Sequence, residues 1–205
     1  MSVDAVKWTE AIIIDALRES YLPVRDALNT EQWAFLTQVM LRCPGLGHEA
    51  RIAAGMTPSV WTMNERKIDV FLVRNWVGGK YGHERVAIEV KVSKADYRNE
   101  TPAKRAPAEA SAHRCAYAAP AGLIDPTTLP DGWGLIEVHA VQPEWATEPR
   151  FDLKWRTKAT RREPTADLDY LVSAGFRRAS RAEERIRRYE SRPERRARDW
   201  VLARP

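Results

Sequence analysis

Two short runs constrain this chain more than anything else in it. Residues 67–73 (KIDVFLV) and 85–92 (RVAIEVKV) are rich in β-branched and aromatic side chains, which suit a pleated, half-buried strand. Successive strand side chains point to opposite faces. Ile68, Val70 and Leu72 therefore share one face of the first run, and Val86, Ile88, Val90 and Val92 one face of the second. Each strand has a wholly apolar face to bury, and each carries an acid, Asp69 or Glu89, on the other face at mid-strand. Gly78, Gly79 and Gly82 lie between them, turn material that predicts an antiparallel hairpin. With Gly79 at its centre, Asp69 falls opposite Glu89, and Lys91 follows two positions along on the Glu89 face.

Around this hairpin the chain reads as one mixed α/β domain built on a central sheet. The spacing of Ala11, Ile12, Ile14, Ala16, Leu17 and Leu22 predicts a helix over 9–21 capped by Thr9, with Pro23 beyond its end. A second helix is expected over 30–42, with Trp33, Leu36, Val39 and Met40 on one stripe, before the turn at Pro44-Gly45-Leu46-Gly47. After Ser93 a helix interrupted by Pro102 and Pro107 is expected to about residue 112, then strands over 115–119 and 134–140. Residues 141–205 read as an extended connection followed by helices, the last over about 181–198.

Charge is unevenly spread. Of 33 Lys+Arg and 28 Asp+Glu, residues 151–205 hold 16 and nine, which leaves 17 and 19 for residues 1–150. A body of −2 thus carries an appendage of +7, a layout suited to meeting a polyanion, or to a solvated charged helix. We divide the chain accordingly at 1–150 and 151–205. No apolar run is long enough to span a bilayer, the N-terminus lacks a signal-peptide layout, and a cytoplasmic protein with no membrane partner is expected. Cys43 and Cys115, 72 positions apart, exclude a disulfide scaffold and a Cys-rich zinc or iron–sulfur module held by this chain alone. The four histidines show neither HExxH nor HxxxH spacing.

Two carboxylates opposed on a strand pair repel each other. Lys91 relieves them if it forms a structural ion cluster. A divalent cation relieves them better, since Mg²⁺ takes one or two carboxylates and completes its shell with water and phosphate oxygens. Lys91 would then stand beside the metal, placed to orient water or offset charge on a phosphate.

Asp69 followed by Glu89-Val90-Lys91 resembles the D…(E/D)xK signature of the PD-(D/E)XK nuclease superfamily. Arg66-Lys67-Ile68-Asp69-Val70, Ala87-Ile88-Glu89-Val90-Lys91-Val92-Ser93-Lys94-Ala95-Asp96-Tyr97, the strand from His113 to Pro120 and the LPDGWGLI segment at 129–136 are similar to the MmcB-like DNA-repair branch. The resemblance spans about residues 66–140, with Ile68 where the family usually has Pro. It implies a restriction-endonuclease-like α-β-β-β-α-β core, with a central mixed sheet flanked by helices and here a basic C-terminal helical extension. It also implies an Mg²⁺- or Mn²⁺-dependent nuclease acting in DNA repair, recombination or phage/host DNA processing. Asp69 and Glu89 become metal ligands and Lys91 the catalytic lysine. A further acid from the first helix is best matched by Glu10, with Glu31 second.

DNA is the expected partner, RNA a second substrate class, and a homodimer is compatible with the chain. Lys104, Arg105, Arg156, Lys158, Arg161 and Arg162 supply phosphate contacts in this reading. Ser93 and Lys94 lie next to the site, where Ser93 either touches phosphate or, the favoured role, caps a helix starting at Lys94. The rivals are a nucleic-acid binder that keeps the fold without cutting and a partner-binding protein in which the acids and Lys91 are structural.

Overall fold

A computed structural model describes residues 6–22, 33–44, 63–74, 83–143 and 149–165. They form an α/β unit around one six-stranded mixed sheet. In chain order the elements are α1 (Glu10–Tyr21), β1 (Trp33–Pro44), β2 (Met63–Arg74), β3 (Arg85–Val90), α2 (Lys94–Arg98), α3 (Pro102–Ser111), β4 (Arg114–Pro120), a 3₁₀ turn (Pro126–Thr128), β5 (Gly134–Val141) and β6 (Arg150–Thr157). The sheet order is β1-β2-β3-β4-β5-β6. β1, β2 and β3 run antiparallel, β3, β4 and β5 parallel, and β6 returns antiparallel on β5. β3 is buried along its whole length and β4 along nearly all of it, as parallel strands covered on both faces must be.

The hairpin register falls where the glycines put it. Val70 pairs with Ile88 and Leu72 with Val86, so the hairpin is centred on position 79. Val70, Leu72, Val86, Ile88 and Val90 pack with Ala116, Ala118, Ile136 and Val138 against Ile13, Ala16 and Leu17 of α1. Burying Ile13 and Leu17 in full is worth about 2–3 kcal/mol each. Of the predicted α1 stripe, Ala16 and Leu17 are buried and Ile14 packs against the core, whereas Ala11 faces solvent and Ile13, outside that stripe, is fully buried. Thr9 caps α1 by accepting from the Ile12 N–H at 3.3 Å.

Three expectations need correction. Residues 33–44 are a strand, not a helix. Trp33, Leu36, Val39 and Met40 do fit a helical stripe, but Trp33, Phe35, Thr37, Val39, Leu41 and Cys43 fit period two equally well. β2 supplies eleven ladder partners that decide the contest, and Met40 is left 43% exposed. The helix after Ser93 ends at Arg98 and a second one starts at Pro102, so the interruption expected at Pro102 is present, but Pro107 does not break the second helix. Pro102 starts α3 behind the Thr101 cap, where its missing N–H costs nothing. Pro107 leaves the Ala103 carbonyl without its i+4 donor, and the Asn64 side-chain amide of β2 donates to it at 2.5 Å. Finally, the body does not end at residue 150, because β6 completes the sheet and the first compact unit is Met1–Ala166, the second Asp167–Pro205. The helix expected over 181–198 and the alternative acid Glu31 lie outside the described residues. No helix among the described residues is long and apolar enough to cross a membrane.

Candidate active site

β2 and β3 part company after Val70↔Ile88, and the predicted acids stand at that fork. One further rung would pair Asp69 with Glu89. Instead the half-buried Asp69 carboxylate takes the Val90 N–H on Oδ2 at 2.8 Å, so a side chain replaces a strand carbonyl. Its Oδ1 accepts from Gln38 Nε2 at 3.3 Å, and the same amide nitrogen donates to Glu10 Oε1 at 2.7 Å. Gln38 sits on β1 opposite Asp69 and breaks the ladder there with φ of +55°. The structure thus joins Glu10, at the first turn of α1, to Asp69 through a residue that the helical reading of β1 concealed.

A left-handed Gln costs about 1–2 kcal/mol, and such strain gathers at functional sites. We expect Gln38→Gly to be more stable than Gln38→Ala by about 1 kcal/mol in chemical denaturation. At an ordinary strand position the order is reversed. Equal stabilities would mean that the +55° conformation is not held in solution.

Glu89 is buried, and its cation is one the motif does not name. Arg66, on β2, donates Nε to Glu89 Oε1 at 3.3 Å and Nη2 to Oε2 at 3.2 Å, a two-pronged pair. Lys91 Nζ is 3.9 Å from Glu89 Oε2, whereas it lies 2.6 Å from Glu100 Oε1 and 3.6 Å from Asp96 Oδ1. Arg66 Nη2 also reaches Glu100 Oε1, at 2.8 Å. Lys91 and Glu100 are 3% and 5% exposed in their side chains, so this is an interior ion pair. The Lys91 N–H is anchored to the Ala118 carbonyl at 2.9 Å, and its ammonium lies 5.9 Å from the Tyr117 ring. Lys91 therefore stands beside Glu89, not between the two acids. Arg66 stands in the segment similar to the MmcB-like branch, but Glu100 has no motif spacing to betray it; its only signal is that a buried lysine demands a buried partner.

Burial raises the Glu89 carboxyl to about 7, against the lowering effect of its Arg66 bond, and the neighbouring Asp69 charge adds to the rise. Glu10 is raised for the same two reasons, burial first and Asp69 second. Among the described residues no group of three or more His, Cys, Asp or Glu side chains forms a ready-made cage. Mg²⁺ does not need one. Two hard carboxylate donors whose charges burden each other suit its water-rich coordination, so Asp69 and Glu89 are the residues that fit a divalent cation.

The remaining predicted residues divide. Ser93 is the α2 cap, accepting from the Asp96 N–H at 3.1 Å, with Lys94 exposed beside it. Lys104 turns back to the Asn99 carbonyl at 2.7 Å, and Lys158 is exposed after β6. Arg161 pairs with Glu163. Arg105 and Arg162, from α3 and the segment after β6, converge on Glu109 at 3.7 and 3.8 Å. His113 is structural: its Nδ1 accepts from the Arg85 N–H at 3.0 Å, and burial lowers its pKa.

No protein-family profile matches the chain, and no curated protein does. A solved structure, the SPO1766 protein of unknown function from Silicibacter pomeroyi, aligns with TM-score 0.52 at 16% identity over 91% of this chain and 97% of its own. At that identity the likeness is one of fold.

Proposed function

We propose that the protein is a metal-dependent nuclease that hydrolyses phosphodiester bonds in DNA. In this reading α1, β1, β2, β3, α3 and β4 form the restriction-endonuclease-like core. The observation that carries the proposal is the fork between β2 and β3, where Asp69, Glu89 and Lys91 meet and Gln38 ties in Glu10. Mg²⁺ or Mn²⁺ held by Asp69 and Glu89 supplies Lewis-acid activation of water and neutralises charge on the phosphate.

The chain's own groups do the rest. Asp69 is held by Val90 and Gln38 with its charge directed into the fork, so little reorganisation is needed at the moment of reaction. Lys91 presents an ammonium to the negative charge that builds on the phosphate oxygens. It reaches them by exchanging its Glu100 partner for substrate, and Arg66 remains to hold Glu100. Glu10, aligned by Gln38, is placed to accept a hydrogen bond from water.

The test is a cleavage assay on labelled single-stranded, duplex, flapped and nicked DNA and on RNA, in Mg²⁺, Mn²⁺ or EDTA. Cutting that requires the metal and falls by about 10³-fold or more in Asp69→Asn is the expected result. No cutting of any substrate in either metal would remove the nuclease reading. A second reading then takes its place, favoured by the pairing of Lys91 with Glu100 and of Glu89 with Arg66 inside the chain. It is a protein that keeps this fold to bind nucleic acid or a partner, and its binding is indifferent to chelator and to Lys91.

A further inference from the structure

On the α3 side of the sheet lies a cavity of about 450 Å³ lined by Arg105, Glu109, Pro130, Asp131, Gly132, Thr160 and Arg162. That volume is within the range of small-molecule sites. We propose that it is a phosphate-binding pocket that takes a phosphate group of the nucleic-acid substrate other than the one being cleaved. The proposal deepens the nuclease reading and rests on it for the nature of the ligand.

The pocket is built before any ligand arrives. The Thr160 N–H donates to the Gly132 carbonyl at 3.0 Å, and the Arg162 N–H to the His113 carbonyl at 2.8 Å, so the segment after β6 is pinned across the rim. Gly132 has φ of +70°, and a Cβ there would stand 3.1 Å from Arg162 Nη2. Glycine at this position leaves room for the guanidinium. On the opposite wall Arg105 projects from α3, with 17% of its side chain exposed. Its Nε is buried and has no hydrogen-bond partner among the described residues. Among the described residues Arg162 Nη2 makes one hydrogen bond, a long 3.5 Å contact to the Asp131 carbonyl.

Two guanidiniums with donors to spare, converging on one polar cavity, are the chemistry that recognises phosphate. Glu109 looks like a competitor, but its distances of 3.7 and 3.8 Å to Arg105 and Arg162 are outside hydrogen-bond range. Its carboxylate is held instead by Trp133 Nε1 at 2.7 Å. It keeps two like charges together without saturating either. Trp133 stacks on Tyr117 with ring centroids 4.6 Å apart, and Tyr117 is the ring beneath Lys91. The pocket therefore lies on the same side of the sheet as Lys91, separated from it by that pair of rings. A strand whose scissile phosphate meets Lys91 would carry a neighbouring or terminal phosphate toward the arginines.

The phosphate is either an internal diester or a terminal monoester, and binding in EDTA separates the two without relying on cleavage. Fluorescent single-stranded oligonucleotides ending in 5′-phosphate, 3′-phosphate or hydroxyl are titrated with the full chain and with Arg105→Gln/Arg162→Gln. We expect the double variant to bind at least about five-fold more weakly and its salt dependence to flatten by about 1.4 in log–log slope, the value for two lost single-strand phosphate contacts. A loss confined to one phosphorylated end assigns a terminal monoester; an equal loss for all three assigns an internal diester. Affinity and slope equal to wild type for every oligonucleotide overturn the pocket. Should the double variant not fold, Glu109→Gln decides. It keeps the acceptor for Trp133 and removes the competing charge, so tighter binding, competed by inorganic phosphate, supports the pocket and unchanged binding rejects it. A chain that binds in this way but never cleaves keeps the pocket and loses the nuclease.

Discussion

Lys91→Met is expected to lower metal-dependent cleavage by about 10²–10⁴-fold, the range for losing a positioned charge that acts on the transition state. The same substitution should destabilise the fold. Lys91 and Glu100 are 3% and 5% exposed and 2.6 Å apart, and removing one member of such a pair leaves a buried charge behind. The usual cost is about 3–5 kcal/mol. Here about 2–3 kcal/mol is expected, because Arg66 still reaches Glu100 at 2.8 Å.

A single variant therefore confuses two roles, and the pair Lys91→Met/Glu100→Gln separates them. Both changes nearly conserve volume, and neutralising both partners of a buried pair is often close to neutral for stability. We expect denaturant melts of the double variant to return most of the lost stability while cleavage stays low. If cleavage returns together with stability, Lys91 is part of the scaffold and not of the chemistry. Glu100→Gln alone is a useful companion. It weakens the hold on Lys91 without removing it, so its cleavage should stay within about ten-fold of wild type.

How far the chain could be read from its residues follows from which interactions are local. The hairpin's faces and its register centred on position 79 were legible from alternation and spacing, while the glycine turn lies outside the described residues and the last expected rung, Asp69 with Glu89, does not form. Thr9 and Ser93 were legible as caps because a cap is a contact over three residues. β1 was not. Its residues satisfy two periods at once, and what chooses between them is a ladder with residues about 20 to 40 positions away. Losing β1 as a strand also hid Gln38, whose role exists only because it faces Asp69 across that ladder. Glu100 was hidden for a related reason. The D…ExK spacing picks out Asp69, Glu89 and Lys91, but the acid that neutralises the buried lysine comes from a loop under no constraint of spacing, and Arg66, although visible beside Asp69, gave no sign of the carboxylates it holds. β6 read as a connection because alternate polar residues along an edge strand look like a loop until a partner is known.

The acid at the centre of the site should announce itself through pH. Glu89 titrates near 4.5 when unfolded and at about 7 when folded, raised by burial and by Asp69 in spite of Arg66. Below pH 4.5 both states hold the proton and the fold has the full benefit of a neutral buried carboxyl. Between 4.5 and 7 the unfolded chain releases its proton first, so stability falls as pH rises, and above 7 the loss is complete. A gap of that size amounts to about 3 kcal/mol, at a group only 4% exposed. Glu89→Gln has no proton to lose, so in EDTA it should gain on wild type by about 3 kcal/mol between pH 5 and pH 8. Parallel stability curves for the two proteins across that range would show that Glu89 is not strained by its surroundings. Adding Mg²⁺ at pH 8 supplies the missing positive charge, and should stabilise wild type while leaving Glu89→Gln much less affected. Because the cation and the proton compete for one carboxylate, the apparent metal affinity should rise by up to ten-fold per pH unit below 7 and level off above it. A site in which Glu89 is merely the structural partner of Arg66 would show the first slope but neither metal effect, so the pair of measurements separates a carboxylate kept for chemistry from one kept for packing.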